Sequence, residues 1–241
     1  MIIAAFGVLL RGERILRSLL ISAILCIASA PVCAQICSDQ DSTTTPAPNR
    51  HNYELYLRQL HLVVNSDVDL ILLGDSLAQN WDTKMFQPLS VVNLGIAGDK
   101  TENVLWRLES PRWSKLRPRA VFIMLGTNNL PNDNPCAVIA SLKRVIERVK
   151  SIWPLARVIL LEITPRGKGF LEYNSARVEI NAAMRNVLGI ETVNVDDEIT
   201  CGWKEEDVSG ACPNYLPDHL HFSTAGYEII LKSLRATLFG K

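Results

Sequence analysis

Five residues spread along the chain have the types that nucleophilic acyl transfer uses: Ser76, Gly98, Asn128, Asp218 and His221. A hydroxyl that attacks a carbonyl needs a base to take its proton and an acid to orient that base. It also needs N–H donors to hold the oxyanion that forms. Ser76 is the candidate nucleophile, His221 the candidate base and Asp218 its orienting partner. The candidate oxyanion donors are the backbone N–H groups of Ser76 and Gly98 and the side-chain amide of Asn128. Taken singly each signal is weak, since Asn128 also suits a turn and His221 also suits a helix cap or a core. The weight lies in the combination.

Such a set works only if the fold gathers it. The apolar run Asp69-Leu70-Ile71-Leu72-Leu73 predicts a buried parallel strand, and Gly74-Asp75-Ser76-Leu77 follows it into helix-compatible sequence. Ligands of open α/β sheets bind at the carboxyl ends of the strands, which is where Ser76 is delivered. Asp75 is expected to brace this turn by bonding to backbone rather than to touch substrate. Ser90 to Leu94 predicts a second strand running into Gly95-Ile96-Ala97-Gly98-Asp99 and a helix from Thr101 to Leu108, so backbone N–H groups there can face an anion. That loop lacks the three-glycine fingerprint and the Lys-Ser/Thr of nucleotide-binding loops, which argues against a nucleotide.

Ala120 to Leu125 predicts a third strand ending at Gly126-Thr127-Asn128-Asn129. Pro131 and Pro135 are expected to break the chain before an amphipathic helix from Val138 to Trp153. Arg157 to Ile163 predicts a fourth strand, ending in Thr164-Pro165-Arg166-Gly167, and Tyr173 to Leu188 a helix stopped by Gly189. Thr192 to Val195 predicts a fifth strand. Alternation of this kind means one α/β domain, a parallel sheet with helices on both faces. The regularity lapses after Asp197 and returns at Pro217-Asp218-His219-Leu220-His221-Phe222-Ser223, where Ser223 is the expected N-cap of a final helix. A turn there can place the Asp218 carboxylate beside the His221 imidazole. His219 is the rival base, but it adjoins Asp218, and adjacent side chains diverge. His51 and His61 lie near the ends of a helix expected over residues 51–62 and read as solvated or capping.

Composition narrows the class further. The chain has 241 residues, 48% apolar and 7% aromatic, with a formal net charge of zero and no long basic run, so nucleic acid is a poor partner. Arg11, Arg14 and Arg17 precede an apolar run from Leu19 to Ala30, and Val32 and Ala34 are small enough to flank a cleavage site before Gln35. Residues 1–34 therefore read as a secretory signal peptide, since a run of about a dozen residues is short of the roughly 20 that span a bilayer. A secreted or periplasmic location follows as an expectation. Without that segment 22 basic residues face 24 acidic ones. Residues 35–50, rich in Ser, Thr, Pro and Asp, read as a flexible linker, and residues 51–241 as the catalytic domain. Four cysteines remain, Cys37, Cys136, Cys201 and Cys212, which allow three pairings. Cys201 with Cys212 is preferred because it closes one loop. No spacing suggests a metal site.

Gly74-Asp75-Ser76-Leu77, the glycine loop Gly95–Gly98, Gly126-Thr127-Asn128-Asn129 and Asp218-x-x-His221 resemble the four blocks of the SGNH (GDSL) hydrolases, over roughly residues 50–240. Within them, Asn93 to Asp99, Val104-Leu105-Trp106-Arg107-Leu108 and Pro165-Arg166-Gly167 look most like the catalytic-subunit group of the platelet-activating-factor acetylhydrolases. The resemblance implies a three-layer flavodoxin-like fold of strand order 2-1-3-4-5 and a serine ester hydrolase needing no metal or cofactor. It assigns Ser76, His221 and Asp218 to the triad, and Gly98 and Asn128 to the oxyanion hole. It also places Leu77, Thr127 and Leu220 around an acyl site that favours short groups, which implies acetyl esters of a small molecule, glycan or lipid, and it leaves a homodimer open. Ala97 stands where the second block has a glycine, and residues 200–216 carry cysteines of their own. The competing readings are a long-chain lysophospholipase or thioesterase, and a non-catalytic carbohydrate- or lipid-binding scaffold.

Overall fold

Strands and helices alternate along the chain as the hydrophobic pattern predicts. A computed structural model describes residues 45–202 and 212–240. The expectations for residues 1–34 and for the first part of the linker lie outside the described residues. After helix α1 (Tyr53–Leu62) come β1 (Ser66–Gly74), the short α2 (Ser76–Gln79), β2 (Val91–Gly95), α3 (Thr101–Arg107) and β3 (Leu116–Met124). Then follow α4 (Pro135–Ile152), β4 (Arg157–Leu161), α5 (Asn174–Met184), β5 (Glu191–Val193), the one-turn α6 (Asp196–Ile199) and α7 (Thr224–Phe239). The five strands form one parallel sheet in the order β2-β1-β3-β4-β5.

Side chains alternate across a strand, so each strand feeds two cores. Ile71, Leu73, Val121, Ile123, Val158 and Leu160 join a cluster with Tyr56 of α1, Val104 of α3, Leu142 and Val149 of α4 and Ile180 of α5. Leu70, Leu72, Phe122, Ile159 and Leu161 join another with Trp81, Phe86 and the α7 residues Tyr227, Ile230 and Leu234. Both faces of β1 and β3 are therefore covered, which is why their apolar runs are nearly continuous. At its entry β3 instead alternates, with Leu116 and Pro118 buried and Arg117 and Arg119 exposed. The strand accordingly starts four residues before the apolar run predicts.

Three expectations need correction. Pro135 does not break the chain but opens α4, because a proline at the first helical position loses no hydrogen bond. Asn134 caps this helix, its side chain accepting from Ala137 N at 2.8 Å. Helix α5 ends at Met184, short of Gly189, whose φ of +71° belongs to the turn before β5. Residues 46–50 are not free linker. Ala47 N donates to Glu102 O at 3.1 Å, Asn103 Nδ2 donates to Ala47 O at 2.9 Å, and Asn49 bonds to the loop after β2. The ordered chain thus reaches back past His51.

Candidate active site

Strand β1 ends where its neighbour presses hardest. A Cβ on Gly74 would lie 1.9 Å from Met124 O of β3, so only glycine fits between the strands just before the nucleophile. The chain then turns at Asp75, whose Oδ1 accepts from Leu77 N at 2.9 Å and caps α2. Ser76 is the first residue of that helix, a position whose N–H has no intrahelical acceptor. Asp75 is fully buried and its Oδ2 has no hydrogen-bond partner. Burial pushes its carboxyl up to about 7, reinforced by the Asp99 charge and opposed by the Leu77 N–H and by Arg166.

The base arrives from the far end of the chain. His221 Nε2 lies 2.8 Å from Ser76 Oγ, and His221 Nδ1 lies 2.7 Å from Asp218 Oδ2. Asp218 Oδ1 also accepts from Leu220 N and His221 N, both at 3.0 Å, so the turn and the side-chain pair form together. Burial works to raise the Asp218 carboxyl, but the imidazole and these two N–H groups outweigh it and hold the group at about 2. The turn is anchored on both sides. Gly167 N donates to His219 O at 2.9 Å, and Ser223, as expected, caps α7 with its hydroxyl accepting from Gly226 N. His219, with φ of +52°, sits edge-on to Phe170 rather than against Ser76. The imidazole within hydrogen-bond distance of Ser76 Oγ is that of His221.

The loop after β2 carries Gly98, whose φ of +76° suits glycine. Its N–H and that of Ser76 have no hydrogen-bond partner among the described residues. Asn128 follows β3 and gives one amide hydrogen to Asp99 O at 3.0 Å, leaving the other unspent. Around these three donors the loop is pinned by side-chain amides from several segments. Ala97 O accepts from Asn49 and Asn52, Ala97 N donates to Gln79 Oε1, Gly95 N donates to Asn93 Oδ1, and Gly95 O accepts from Gln59.

Asp99 is the hub of this brace, and its surroundings were not foreseen. Its Oδ2 accepts from Arg107 Nε at 2.7 Å and its Oδ1 from Asn49 Nδ2 at 2.8 Å. The fully buried Arg107 also donates to Leu94 O and Gly74 O, at 3.0 and 3.2 Å. One guanidinium therefore ties together the end of β1, the end of β2 and the glycine loop. Burial raises the Asp99 carboxyl and lowers the Arg107 guanidinium, each shift opposed by the partner's charge. The signal available was an arginine three residues after Val104, on the buried stripe of α3.

Among the acyl-site candidates, Leu77 and Thr127 are buried and border a cavity of only about 10 Å³ next to Asp75. Leu220 is half-buried in the triad turn and does not line that cavity. Arg166, also unforeseen, holds Thr127 by donating from Nη1 to its carbonyl and hydroxyl oxygens at 3.2 Å, and from Nε to Glu172. Cys201 and Cys212 are joined in a disulfide with Cα atoms 5.8 Å apart, and Cys136 is disulfide-bonded as well. Among the described residues, no group of three or more His, Cys, Asp or Glu is arranged to hold a metal ion.

A hydroxyl hydrogen-bonded to an imidazole that is itself bonded to a carboxylate, in a chain where Ser76 N–H, Gly98 N–H and one Asn128 amide hydrogen have no partner among the described residues, has the groups that acyl transfer requires. Residues 72–229 match the model of the GDSL-like lipase/acylhydrolase family. The chain belongs to that family. Like other GDSL (SGNH) hydrolases it is a carboxylic ester hydrolase with a five-stranded parallel α/β fold. It is 30% identical over 181 residues to platelet-activating factor acetylhydrolase IB subunit alpha1 of Rattus norvegicus, covering 72% of this chain and 76% of that protein. A GDSL-like lipase from Bacteroides thetaiotaomicron superimposes with a TM-score of 0.60 at 19% identity, over 78% of this chain and 97% of that one. A psychrotrophic esterase from Pseudoalteromonas sp. does so with a TM-score of 0.53 at 17% identity, over 72% of this chain and 100% of that one. No helix among the described residues is long and apolar enough to cross a membrane.

Proposed function

We propose that this GDSL hydrolase cleaves short-chain, chiefly acetyl, esters through Ser76, His221 and Asp218. The observation that carries the reading is the unbroken relay from Asp218 Oδ2 through both imidazole nitrogens to Ser76 Oγ, with links of 2.7 and 2.8 Å. His221 Nε2 takes the Ser76 proton as Oγ bonds to the ester carbonyl carbon and the carbonyl π electrons move to oxygen. Asp218, ionised at any working pH because its carboxyl is held at about 2, fixes the tautomer and stabilises the imidazolium. The new oxyanion lies among the Ser76 and Gly98 N–H groups and the free amide hydrogen of Asn128. The imidazolium then gives its proton to the departing alcohol as the tetrahedral carbon collapses to the acyl-enzyme. Water repeats the sequence, with His221 again as base, and releases the acid and Ser76.

Burial of Leu77 and Thr127, and the small space that they leave, supports a preference for short acyl groups. The leader-like residues 1–34 and the disulfide-bonded Cys136, Cys201 and Cys212 support export, since such bonds persist in oxidising compartments. The test is hydrolysis of p-nitrophenyl acetate, butyrate and octanoate by the native chain and by Ser76→Ala. Serine-dependent turnover falling steeply beyond acetate is expected. Turnover that rises toward octanoate overturns the short-acyl reading. Equal rates for the native chain and Ser76→Ala overturn the nucleophile.

A further inference from the structure

The loop after β4 bonds to both halves of the candidate site. Arg166 Nη1 donates to the carbonyl and hydroxyl oxygens of Thr127, each at 3.2 Å, and the next backbone N–H, that of Gly167, donates to His219 O at 2.9 Å. Thr127 adjoins the oxyanion donor Asn128, and His219 lies two residues before the base His221. Two consecutive residues of one segment therefore hold the donor side and the base side.

The Thr127 carbonyl belongs to the planar peptide that joins Thr127 to Asn128. A donor that fixes this oxygen fixes the plane from which the Asn128 Cα departs, and so the root of its side chain. The bond from Asn128 Nδ2 to Asp99 O, at 3.0 Å, restrains the tip of that side chain. Asn129 is held separately, its Oδ1 accepting from Thr101 N at 3.1 Å and its Nδ2 donating to Thr101 Oγ1 at 3.2 Å.

The guanidinium that does the fixing is itself aimed. Its Nε donates to Glu172 Oε2 at 2.8 Å, its Cζ lies 5.6 Å from the centre of the Tyr173 ring, and the side chain is only 14% exposed. Glu172 N closes the loop by donating to Arg166 O at 3.1 Å. Glycine at 167 permits this return, because φ there is +76° and a Cβ would lie 2.4 Å from Glu172 Cβ. Ring and carboxylate thus set the plane of the fork before it meets Thr127, a geometry that a flexible ammonium does not reproduce.

We infer that Arg166 is a positioning residue for the oxyanion hole: aimed by Glu172, it fixes the Thr127–Asn128 peptide and with it the place of the Asn128 amide. The inference rests on the assignment of Asn128 as an oxyanion donor. Arg166 acts through that amide rather than on the substrate.

The test is a double-variant comparison on the full chain, by steady-state hydrolysis of p-nitrophenyl acetate, with folding checked by urea unfolding. Misplacing a catalytic group by about 1 Å costs on the order of 10²-fold, so Arg166→Met should lower kcat roughly 10- to 100-fold with KM within about twofold of native. In the Asn128→Ala background, where no amide is left to misplace, the same change should cost less than about threefold. General loosening of the site lowers kcat by the same factor in both backgrounds. That result, a loss confined to KM, or a kcat within about twofold of native overturns the positioning role and leaves the Ser76 reading standing. If Arg166→Met does not fold, Glu172→Ala, at a half-exposed carboxylate, carries the comparison. It should lower kcat about threefold, the size of an exposed ion pair, in the native background and not in Asn128→Ala. An equal loss in both backgrounds overturns the inference there too. A loss of about tenfold or less in Asn128→Ala alone overturns the oxyanion assignment beneath it, whereas native turnover by Ser76→Ala strikes at the esterase reading itself.

Discussion

Arg107→Met should cost more stability than any surface ion pair in the molecule, and the cost should depend on pH in a determined direction. The guanidinium is fully buried and makes three hydrogen bonds, to Asp99 Oδ2, Leu94 O and Gly74 O. Methionine fills much of its volume but leaves the Asp99 carboxylate buried with the Asn49 amide as its remaining side-chain donor. Removing one member of a buried pair costs about 3–5 kcal/mol, against a typical total of about 5–15 kcal/mol for a domain. For a chain of this size that lowers Tm by roughly 6–20 °C. The unpaired carboxyl should take a folded-state pKa above its unfolded value. A group of that kind contributes stability at low pH that is lost as pH rises through the folded pKa. The deficit of Arg107→Met should therefore be smallest near pH 4 and full by pH 8. Urea unfolding followed by tryptophan fluorescence measures it, and Arg107→Met/Asp99→Asn should recover about 1–3 kcal/mol at pH 8 by removing the stranded charge. A single variant within 1 kcal/mol of native, or a deficit that does not move with pH, refutes the account of this pair as the tie between β1, β2 and the glycine loop.

Asn128→Ala removes one oxyanion donor and leaves the Asp99 carbonyl without the amide from which it accepts. The expected loss is on the order of 10²–10³ in kcat with KM little changed, measured by steady-state hydrolysis of p-nitrophenyl acetate. A loss of tenfold or less takes Asn128 out of the oxyanion hole. Asp75→Asn keeps the acceptor for Leu77 N but abolishes titration of a carboxyl raised from 3.8 to about 7. The stability that native Asp75 holds when protonated is present below about pH 4 and lost as pH rises toward 7. The variant's advantage in unfolding free energy should accordingly grow across that window, by up to about 4 kcal/mol, and an advantage that stays flat from pH 4 to 8 contradicts the burial of an ionising group there.

The layers were legible because burial on two faces leaves a pattern that survives in the chain. Leu70 to Leu73 and Val121 to Leu125 are apolar at every position since both cores draw on them. Helix α4 shows its buried face as Val138, Leu142, Val145 and Val149. Boundaries were less legible, because they depend on partners. Pro135 reads as a breaker by composition and as a helix start once Asn134 supplies the cap. Strand β4 stops at Leu161, two residues short of the Ile163 expected, since Ile163 N donates to the Asn181 side chain instead of to a neighbouring strand. Neither event has a period that a single sequence displays.

The candidate site divides along the same line. Ser76, Gly98, Asn128, Asp218 and His221 are recognisable by type because acyl transfer demands those functional groups, and because four of them follow or lie next to elements whose ends the hydrophobic pattern marks. What holds them is written in residues that any surface could carry. Asn49 meets Asp99 across 50 positions, Asn103 meets Ala47 across 56, and Arg107 meets Gly74 across 33. A neutral amide in a Pro- and Thr-rich stretch gives no hint that it will accept or donate anywhere in particular, so residues 46–50 read as linker. Their hydrogen bonds nonetheless stiffen the loop whose Gly98 N–H stays free. Preorganisation of an oxyanion donor comes from satisfying every polar group around it except the one that must meet the substrate. The glycine loop meets that condition in detail: Gly95, Ala97 and Asp99 are bonded on both sides of Gly98, and the Gly98 N–H has no partner among the described residues.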